Sequence, residues 1–296
     1  VRTDGTPVYN YIVSIDDALM EITHVVRGED HLSNTPKQLL IAQALGLPVP
    51  QYAHLALVLG PDRSKLSKRH GMTSVVQYRN EGYLPEALVN YITMLGWATE
   101  SGDEILTMEE LINSMDIQKL AKSAAIFDFQ KLKWVNSQYI NSYDLSKLTD
   151  LLSPYIAELG YSIGTLDKPY VEEIISLVRG SCELLPDIKN YVGIFLEDVN
   201  TPDDETSALL REQDSQELIK KSHSLFSSYF TEGNFIEELI NKIKEETGFK
   251  GKKLFKPIRA MLTGRLSGPD LMQALPLIGF EHCKSRVDYC LKTYCK

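Results

Sequence analysis

The feature that most limits how this chain can fold is a change of hydrophobic period near residue 77. Before it, apolar residues fall in short β-rich runs. After it, they recur at helical spacing almost to the C-terminus. Tyr9-Asn10-Tyr11-Ile12-Val13-Ser14-Ile15 alternates and is β-branched, which predicts a strand; Ile22-Thr23-His24-Val25-Val26 predicts a second. Thr35 is expected to open a helix, with its hydroxyl as cap, Pro36 at the first position and Gln38 completing a capping box. Leu40, Ile41, Ala44 and Leu45 give that helix an apolar face, and Gly46 and Pro48 stop it. His54-Leu55-Ala56-Leu57-Val58-Leu59 is a continuous apolar run, as in a buried parallel strand, and Gly60-Pro61-Asp62 turns the chain out of it. Strand, helix, strand in this order predicts one half of an α/β sheet.

From residue 77 the pattern changes. Leu84, Ala87, Leu88, Tyr91, Ile92 and Leu95 lie on one face of a helix that Pro85 starts and Gly96 ends. Further helices are expected over 108–115, 129–134, 144–159, 171–183 and 234–247, with an acidic loop at 201–205. The 296 residues suggest two or three domains, and 43% hydrophobic with 24% charged residues is ordinary for a globular chain. No apolar run approaches the ~18 residues of a membrane span. The polar start lacks a signal-peptide pattern, and its first residue, Val1, is consistent with a fragment, a processed chain or trimmed numbering. Cys182, Cys283, Cys290 and Cys295 form no C-x-x-C pair, so a reduced, cytoplasmic thiol set is expected. The net charge of −9 means that a polyanion could be held only by a local basic patch.

Two segments carry chemistry. Lys65-Leu66-Ser67-Lys68-Arg69 puts three cations in five residues just after the apolar run and its turn. A cationic loop at the end of a parallel strand is placed to hold a polyphosphate and to neutralise charge developing at phosphorus. A solvated charge cluster is the alternative, and no G-x-x-x-x-G-K-[ST] loop is present. The second segment, Val26-Arg27-Gly28-Glu29-Asp30-His31-Leu32-Ser33-Asn34-Thr35-Pro36, runs from a strand end to a helix start, where α/β sheets bind ligands. Arg27 suits a carboxylate, and Asp30 and His31 suit ribose or base. An ion-pair-rich loop with a helix cap is the alternative. Far downstream, Lys250, Lys252, Lys253, Lys256, Arg259 and Arg265 place six cations without an acid, a patch able to neutralise phosphates, with Phe255 either a stacking platform or a core anchor.

Taken together, Arg-Gly-Glu-Asp-His-Leu-Ser-Asn-Thr-Pro at 27–36 and Lys-Leu-Ser-Lys-Arg at 65–69 resemble the catalytic domain of the bacterial-type glutamyl-tRNA synthetases of class I. The resemblance continues through Tyr83-Leu84-Pro85-Glu86-Ala87-Leu88, Phe127-Asp128-Phe129-Gln130-Lys131-Leu132 and Phe255-Lys256-Pro257-Ile258-Arg259-Ala260, nearly the whole chain in order. It implies a mixed, mainly α fold. Residues 1–78 would be the second half of a Rossmann-like α/β catalytic domain, 79–142 a helical stem-contact region, and 143–296 an all-helical anticodon-binding domain.

It also implies a glutamate–tRNA ligase that activates glutamate with ATP to glutamyl-adenylate and transfers it to the 3′ end of tRNA(Glu). Lys65 and Lys68 would be catalytic. ATP would meet Lys65, Ser67, Lys68, Asp30, His31 and the backbone of Val58. Glutamate would meet Tyr9 and Arg27, and tRNA would meet Arg179, Lys252, Lys253, Lys256 and Arg259. Magnesium is expected with ATP, no zinc site is expected in these residues, and a cytoplasmic monomer off the membrane is expected. The family's upstream H-I-G-H-type signature does not occur here, so the chain by itself is expected to be inactive. Its alternatives are a non-catalytic tRNA-binding fragment or a glutaminyl-type relative. The helical second half argues against the latter, whose anticodon domain would be β-barrels. Ser181, beside Arg179, leaves discrimination between glutamate and glutamine tRNAs open.

Overall fold

The computed structural model describes residues 2–198, 201–228 and 235–295. The chain divides into two compact units, Val1–Asn136 and Ser137–Lys296. Unit 1 begins with α1 (Tyr9–Leu19), β1 (His24–Gly28), α2 (Thr35–Ala44) and β2 (Gln51–Leu55). It continues with β3 (Val58–Leu59), α3 (Val75–Glu81), α4 (Pro85–Gly96), α5 (Met108–Ser114), β4 (Ala125–Ile126) and α6 (Phe129–Ser142), whose last turns belong to unit 2. The strands β1 and β2 pair in parallel, with Arg27 opposite His54, and β3 and β4 pair in parallel, with Leu59 opposite Ile126.

The expected strand at 9–15 is instead the first part of α1. Alternation over seven residues fits either state, and the choice is made by packing against α2. Ser14 is buried there, its hydroxyl donating to Asn10 O at 2.7 Å within the helix and lying 3.4 Å from Gln38 O. The run 54–59 is not one strand. It breaks at Ala56-Leu57 into β2 and β3, which belong to different sheets. The capping box at Thr35 does not form: Asn34 is the cap residue, and the Thr35 and Gln38 side chains are used elsewhere. A short strand, β4, lies beyond residue 78, where helix alone was expected.

Other starts follow local rules. Ser74 with Gln77 and Thr107 with Glu110 make reciprocal capping boxes at α3 and α5, and Gly82 ends α3 in the left-handed region at φ 93°. The core of unit 1 gathers under α4 and α6, where Leu84, Ala87, Leu132 and Val135 are essentially inaccessible. The front of the unit has no such core. Among residues 2–59 only Ser14, Gln38 and Ala42 are buried, while Leu19, Met20 and Leu40 stand 66–73% exposed.

Unit 2 is helical throughout its described residues: α7 (Leu145–Ala157), α8 (Lys168–Val178), α9 (Lys189–Leu196), α10 (Asp204–Leu210), α11 (Gln213–Ser228), α12 (Phe235–Thr247), α13 (Lys252–Thr263), α14 (Leu271–Ile278) and α15 (Phe280–Tyr294). The Asp144, Asp203 and Asp270 carboxylates accept from the first-turn amides of α7, α10 and α14. No helix among the described residues is long and apolar enough to cross a membrane. The four cysteines are free thiols, and burial pushes Cys182, Cys283 and Cys290 up to about 12.

Within unit 2 one buried cation replaces several caps. Arg286 of α15 is 2% exposed. Its guanidinium donates to Leu262 O near the end of α13 (2.7 Å), and to Ile194 O (2.8 Å), Glu197 O (2.5 Å) and Asp198 O (3.3 Å) at the end of α9. Helix C-termini leave carbonyls without internal donors, and a planar fork satisfies several at once. Arg286→Leu is expected to destabilise unit 2 by about 3–5 kcal/mol, since each buried carbonyl left unsatisfied costs roughly 1–3 kcal/mol. Arg286→Lys should rescue little of it. Calorimetry with far-UV dichroism measures the loss. Both tryptophans, Trp97 and Trp134, lie in unit 1, so their emission should report an unchanged unit 1 transition.

Candidate active site

The first part of the site grows out of the β1 end. After Gly28 the chain makes a tight 3-10 turn over Glu29–Asn34 and enters α2. Arg27, the penultimate residue of β1, projects into a polar network. Its Nη2 donates to Thr35 Oγ1 and to Gln38 Oε1, each at 2.8 Å, and the guanidinium lies 5.3 Å from the centre of the Tyr52 ring. Gln38 Nε2 in turn donates to Asn10 Oδ1 at 3.0 Å, and Thr35 Oγ1 meets His54 Nε2 at 2.9 Å. Arg27 Nε is buried without an acceptor in this structure. The guanidinium is thus fixed on one side and keeps a donor in reserve, which suits recognition of a carboxylate. Tyr9, at the start of α1, is half-exposed, and its ring lies 5.8 Å from that of His31.

The second part is the cationic loop after β3. The Leu66 amide donates to Val58 O at 3.0 Å, and Lys65 bridges to Leu59 across the loop. The Val58 carbonyl is therefore occupied by the loop itself, and its side chain lines a hollow of about 320 Å³ with Leu66, Met72, Tyr78 and Ile92. Lys65 Nζ meets Asp30 Oδ2 at 2.6 Å. This ion pair joins two segments 35 residues apart, and the Lys65 hydrogen bond holds the Asp30 carboxyl below its usual range. Arg69 is committed to Asp62 at 3.1 Å and to the Ser64 hydroxyl. The Asp62 carboxyl is held well below the ordinary range, first by the Ser64 hydroxyl and amide and then by His70. Lys68 is exposed, and no ion pair or hydrogen bond engages its ammonium among the described residues.

Arg27, Asp30, His31, Val58, Lys65, Ser67 and Lys68, scattered over about forty residues, thus fall on two segments of unit 1, β1 with the turn after it and β3 with the loop after it, linked by the Asp30–Lys65 pair. Sequence reasoning missed Asn10, Gln38, Tyr52, His54 and His70. Only a polar side chain on an expected helix or strand face marked them, and that signal is weak. Among the described residues no three His, Cys, Asp or Glu side chains gather as a metal site.

The basic residues of unit 2 divide into two kinds. Lys252 and Lys256 of α13 are exposed, and Phe255 between them is 44% exposed rather than a core anchor. Lys253 is paired with Asp214 at 3.1 Å. Arg259 is partly buried and donates through Nη1 to Pro269 O at 2.7 Å, so it ties the chain after α13 back onto that helix. Arg179 opens a 3-10 turn after α8, with Nη1 donating to Tyr143 O at 3.1 Å.

Comparison with known proteins adds to this geometry. Residues 1–134 match the catalytic domain of class I tRNA synthetases (E and Q), and residues 147–291 match an anticodon binding domain. A glutamate–tRNA ligase of Caldanaerobacter subterraneus subsp. tengcongensis is 40% identical over 294 residues, covering 99% of this chain and 61% of that protein. One from Caldicellulosiruptor saccharolyticus is 42% identical over 298 residues, covering 98% and 61%. A crystal structure of a glutamate tRNA ligase from Elizabethkingia meningosepticum, in complex with its amino acid, superposes with a TM-score of 0.84 at 31% identity, over 99% of this chain and 62% of that one. The chain therefore spans about 61% of the length of the relatives it matches.

The neck of the cationic loop yields a prediction. A Cβ on Gly60 would lie 2.8 Å from Cδ2 of the His70 ring, whose side chain is 8% exposed and has no room to retreat. Gly60→Ala is expected to cost about 1–3 kcal/mol by overpacking. The double variant with His70→Ala should recover part of that loss, a non-additivity that urea unfolding of the four proteins in the cycle would measure.

Proposed function

We infer that this chain, which consists of class I tRNA synthetase catalytic-domain sequence followed by an anticodon binding domain, is part of a glutamate–tRNA ligase that activates glutamate with ATP and delivers it to tRNA(Glu). The observation that carries the reading is the Asp30–Lys65 pair, which draws the Arg27–Pro36 turn and the Lys65–Arg69 loop into one site. In the reaction a carboxylate oxygen of glutamate attacks the α-phosphorus of ATP and pyrophosphate leaves; a hydroxyl of the terminal adenosine of tRNA then attacks the glutamyl carbonyl, loses its proton, and AMP leaves. Arg27, fixed by Thr35 and Gln38, clamps a glutamate carboxylate, with Tyr9 lining the same pocket. Asp30 and His31 meet the adenosine, and the Val58 backbone lies near adenine. Lys65 exchanges its Asp30 partner for phosphate, with Ser67 beside it. Lys68, with no partner to give up, stabilises the charge that grows on the leaving phosphates. Magnesium is expected to arrive with ATP as the counter-ion of its phosphates.

The exposed Lys252 and Lys256 are the side chains of unit 2 best placed to meet tRNA phosphates, and Arg179, although its Nη1 is tied to Tyr143 O, is proposed to meet the anticodon, whose splayed bases can be read at their edges. Lys253 and Arg259, already engaged by Asp214 and Pro269, contribute less as free cations. The bare apolar front of unit 1 supports a larger catalytic domain in which further protein covers Leu19, Met20 and Leu40. Burying such side chains is worth roughly 1.5–3 kcal/mol each. The complete protein is proposed to act as a cytoplasmic monomer.

Two outcomes test this. In the complete enzyme, with tRNA present, Lys68→Ala should slow ATP–pyrophosphate exchange by about 10²–10³-fold, more than it weakens ATP binding, because the charge it meets grows in the transition state. Exchange within about twofold of the unaltered enzyme would remove Lys68 from the chemistry. Residues 1–296 alone should bind tRNA weakly and fail to charge it, since the positioning that supplies ~7–11 kcal/mol of barrier lowering needs a complete site. In the same chain Lys252→Glu with Lys256→Glu should weaken binding and flatten its salt dependence by roughly 0.7–0.9 log units for each phosphate no longer neutralised. Filter binding over a salt series, with a glutamate-charging assay on the same preparation, reads both.

A further inference from the structure

The cationic loop is held by a residue that lies just beyond it. The chain leaves β3 at Gly60, carries Lys65 and Lys68 round the loop, and returns at His70. The His70 ring lies flat on the Gly60 backbone, with three of its atoms within 2.8–2.9 Å of where a Cβ would stand. That close approach shuts the loop at its neck. The next residue, Gly71, has φ 127° and sits against the Phe129 ring, which packs on Phe127 at 4.8 Å. The downstream side of the neck is therefore anchored in the aromatic core of unit 1.

Both ring nitrogens are used. The Ser67 amide donates to Nδ1 at 3.0 Å, and an amide can only donate, so Nδ1 carries no proton. The ring proton is then on Nε2, which faces Asp62 Oδ1 at 3.1 Å and the Ser64 hydroxyl at 3.3 Å. Arg69 Nε also directs its hydrogen at Nε2, at 3.2 Å; a neutral imidazole accepts at one nitrogen only, and the Asp62 carboxylate 3.1 Å from Nε2 places the ring proton there, which leaves Nδ1 to accept from Ser67. Imidazole Nδ1 thus fixes the backbone immediately before Lys68, and Nε2 fixes the acid that restrains Arg69. Lys68 has no side-chain partner of its own among the described residues, so its position depends on that backbone.

We propose that His70 is the positioning residue of the lysine loop, its Nδ1 holding the Ser67 amide so that the Lys68 ammonium is aimed before phosphates arrive. This rests on the reading of the loop as phosphate-binding given above. The ring touches no reacting atom. It removes loop freedom that would otherwise be lost at each catalytic cycle.

The test has one arm without catalysis and one with it. In the 296-residue chain, nitrogen-15 correlation spectra of the histidines, with the His70 signals identified by their loss in His70→Asn, should show Nδ1 unprotonated and Nε2 protonated. Trypsin should cut after Lys68 and Arg69 on the order of tenfold faster in His70→Ala, by local opening of the loop. In the complete enzyme, His70→Ala should lower kcat for ATP–pyrophosphate exchange by roughly 10–100-fold while KM for ATP moves less than about threefold. Asn places an acceptor where Nδ1 stood, and Gln places a donor near Nε2. His70→Asn should therefore restore more activity than His70→Gln. A proton found on Nδ1, or equal activity in the Asn and Gln variants, would overturn the proposal. Unaltered exchange in His70→Ala beside a dead Lys68→Ala would overturn this proposal alone. Unaltered exchange in both would overturn the phosphate-binding reading beneath it as well.

Discussion

Backbone that is buried outside helices and strands must still find hydrogen-bond partners, and in both units long-range side chains provide them. Asn90 of α4 donates to Glu104 O at 2.8 Å and accepts from the Leu106 amide at 3.0 Å, which fixes the loop leading into α5. Asn136 accepts from the Leu84 amide at 2.8 Å, at the start of α4 and 52 residues away. The Tyr91 hydroxyl donates to Asp128 O and accepts from the Asp128 amide, and burial pushes it up to about 12, so it remains a proton donor. Arg286 does the same for the ends of α9 and α13. An unsatisfied buried group costs more than a typical hydrogen bond contributes, so these few polar side chains decide which helix ends can be buried.

The same economy shapes the candidate site. Arg27 is a half-buried charge whose guanidinium is divided between Thr35 and Gln38 and laid over Tyr52. Gln38 is held by Asn10 in turn, so a strand residue, a helix residue and a residue of α1 define one guanidinium. The loop opposite separates committed from uncommitted cations. Arg69 is held by Asp62, Lys65 is lightly held by Asp30 at an exposed position, and Lys68 is free among the described residues. Exposed pairs contribute little to stability. The exposed Asp30–Lys65 pair accordingly leaves Lys65 lightly held rather than fixing the fold. An overall charge of −9 does not oppose polyanion binding when cations are gathered this locally.

What the sequence determined by itself was the element type over long periodic stretches and the charge carried by the two loops. The 3.6-residue spacing from Pro85 onward and the Pro and Gly punctuation act within a turn or two of the chain, so they are legible locally, whereas the stretch at 201–205, expected as an acidic loop, proved to hold the Asp203 cap and the first turn of α10. The cations at 65–69 and the Arg27–Pro36 turn announce their charge for the same reason. What only the tertiary structure decided depends on partners distant in sequence. Seven alternating residues at 9–15 became helix because Ser14 had α2 to pack against. Thr35 and Gln38 satisfy a local capping rule, yet they went to Arg27, because a half-buried guanidinium gains more from charge-assisted bonds to them than a helix end that neighbouring groups can satisfy. The run 54–59 divided because its two halves found different strands, β1 and β4, the latter some 70 residues downstream. The role proposed for His70 was invisible for a related reason. A histidine beside three cations reads as one more polar residue until Gly60, ten positions earlier, is seen to lie flat beneath its ring.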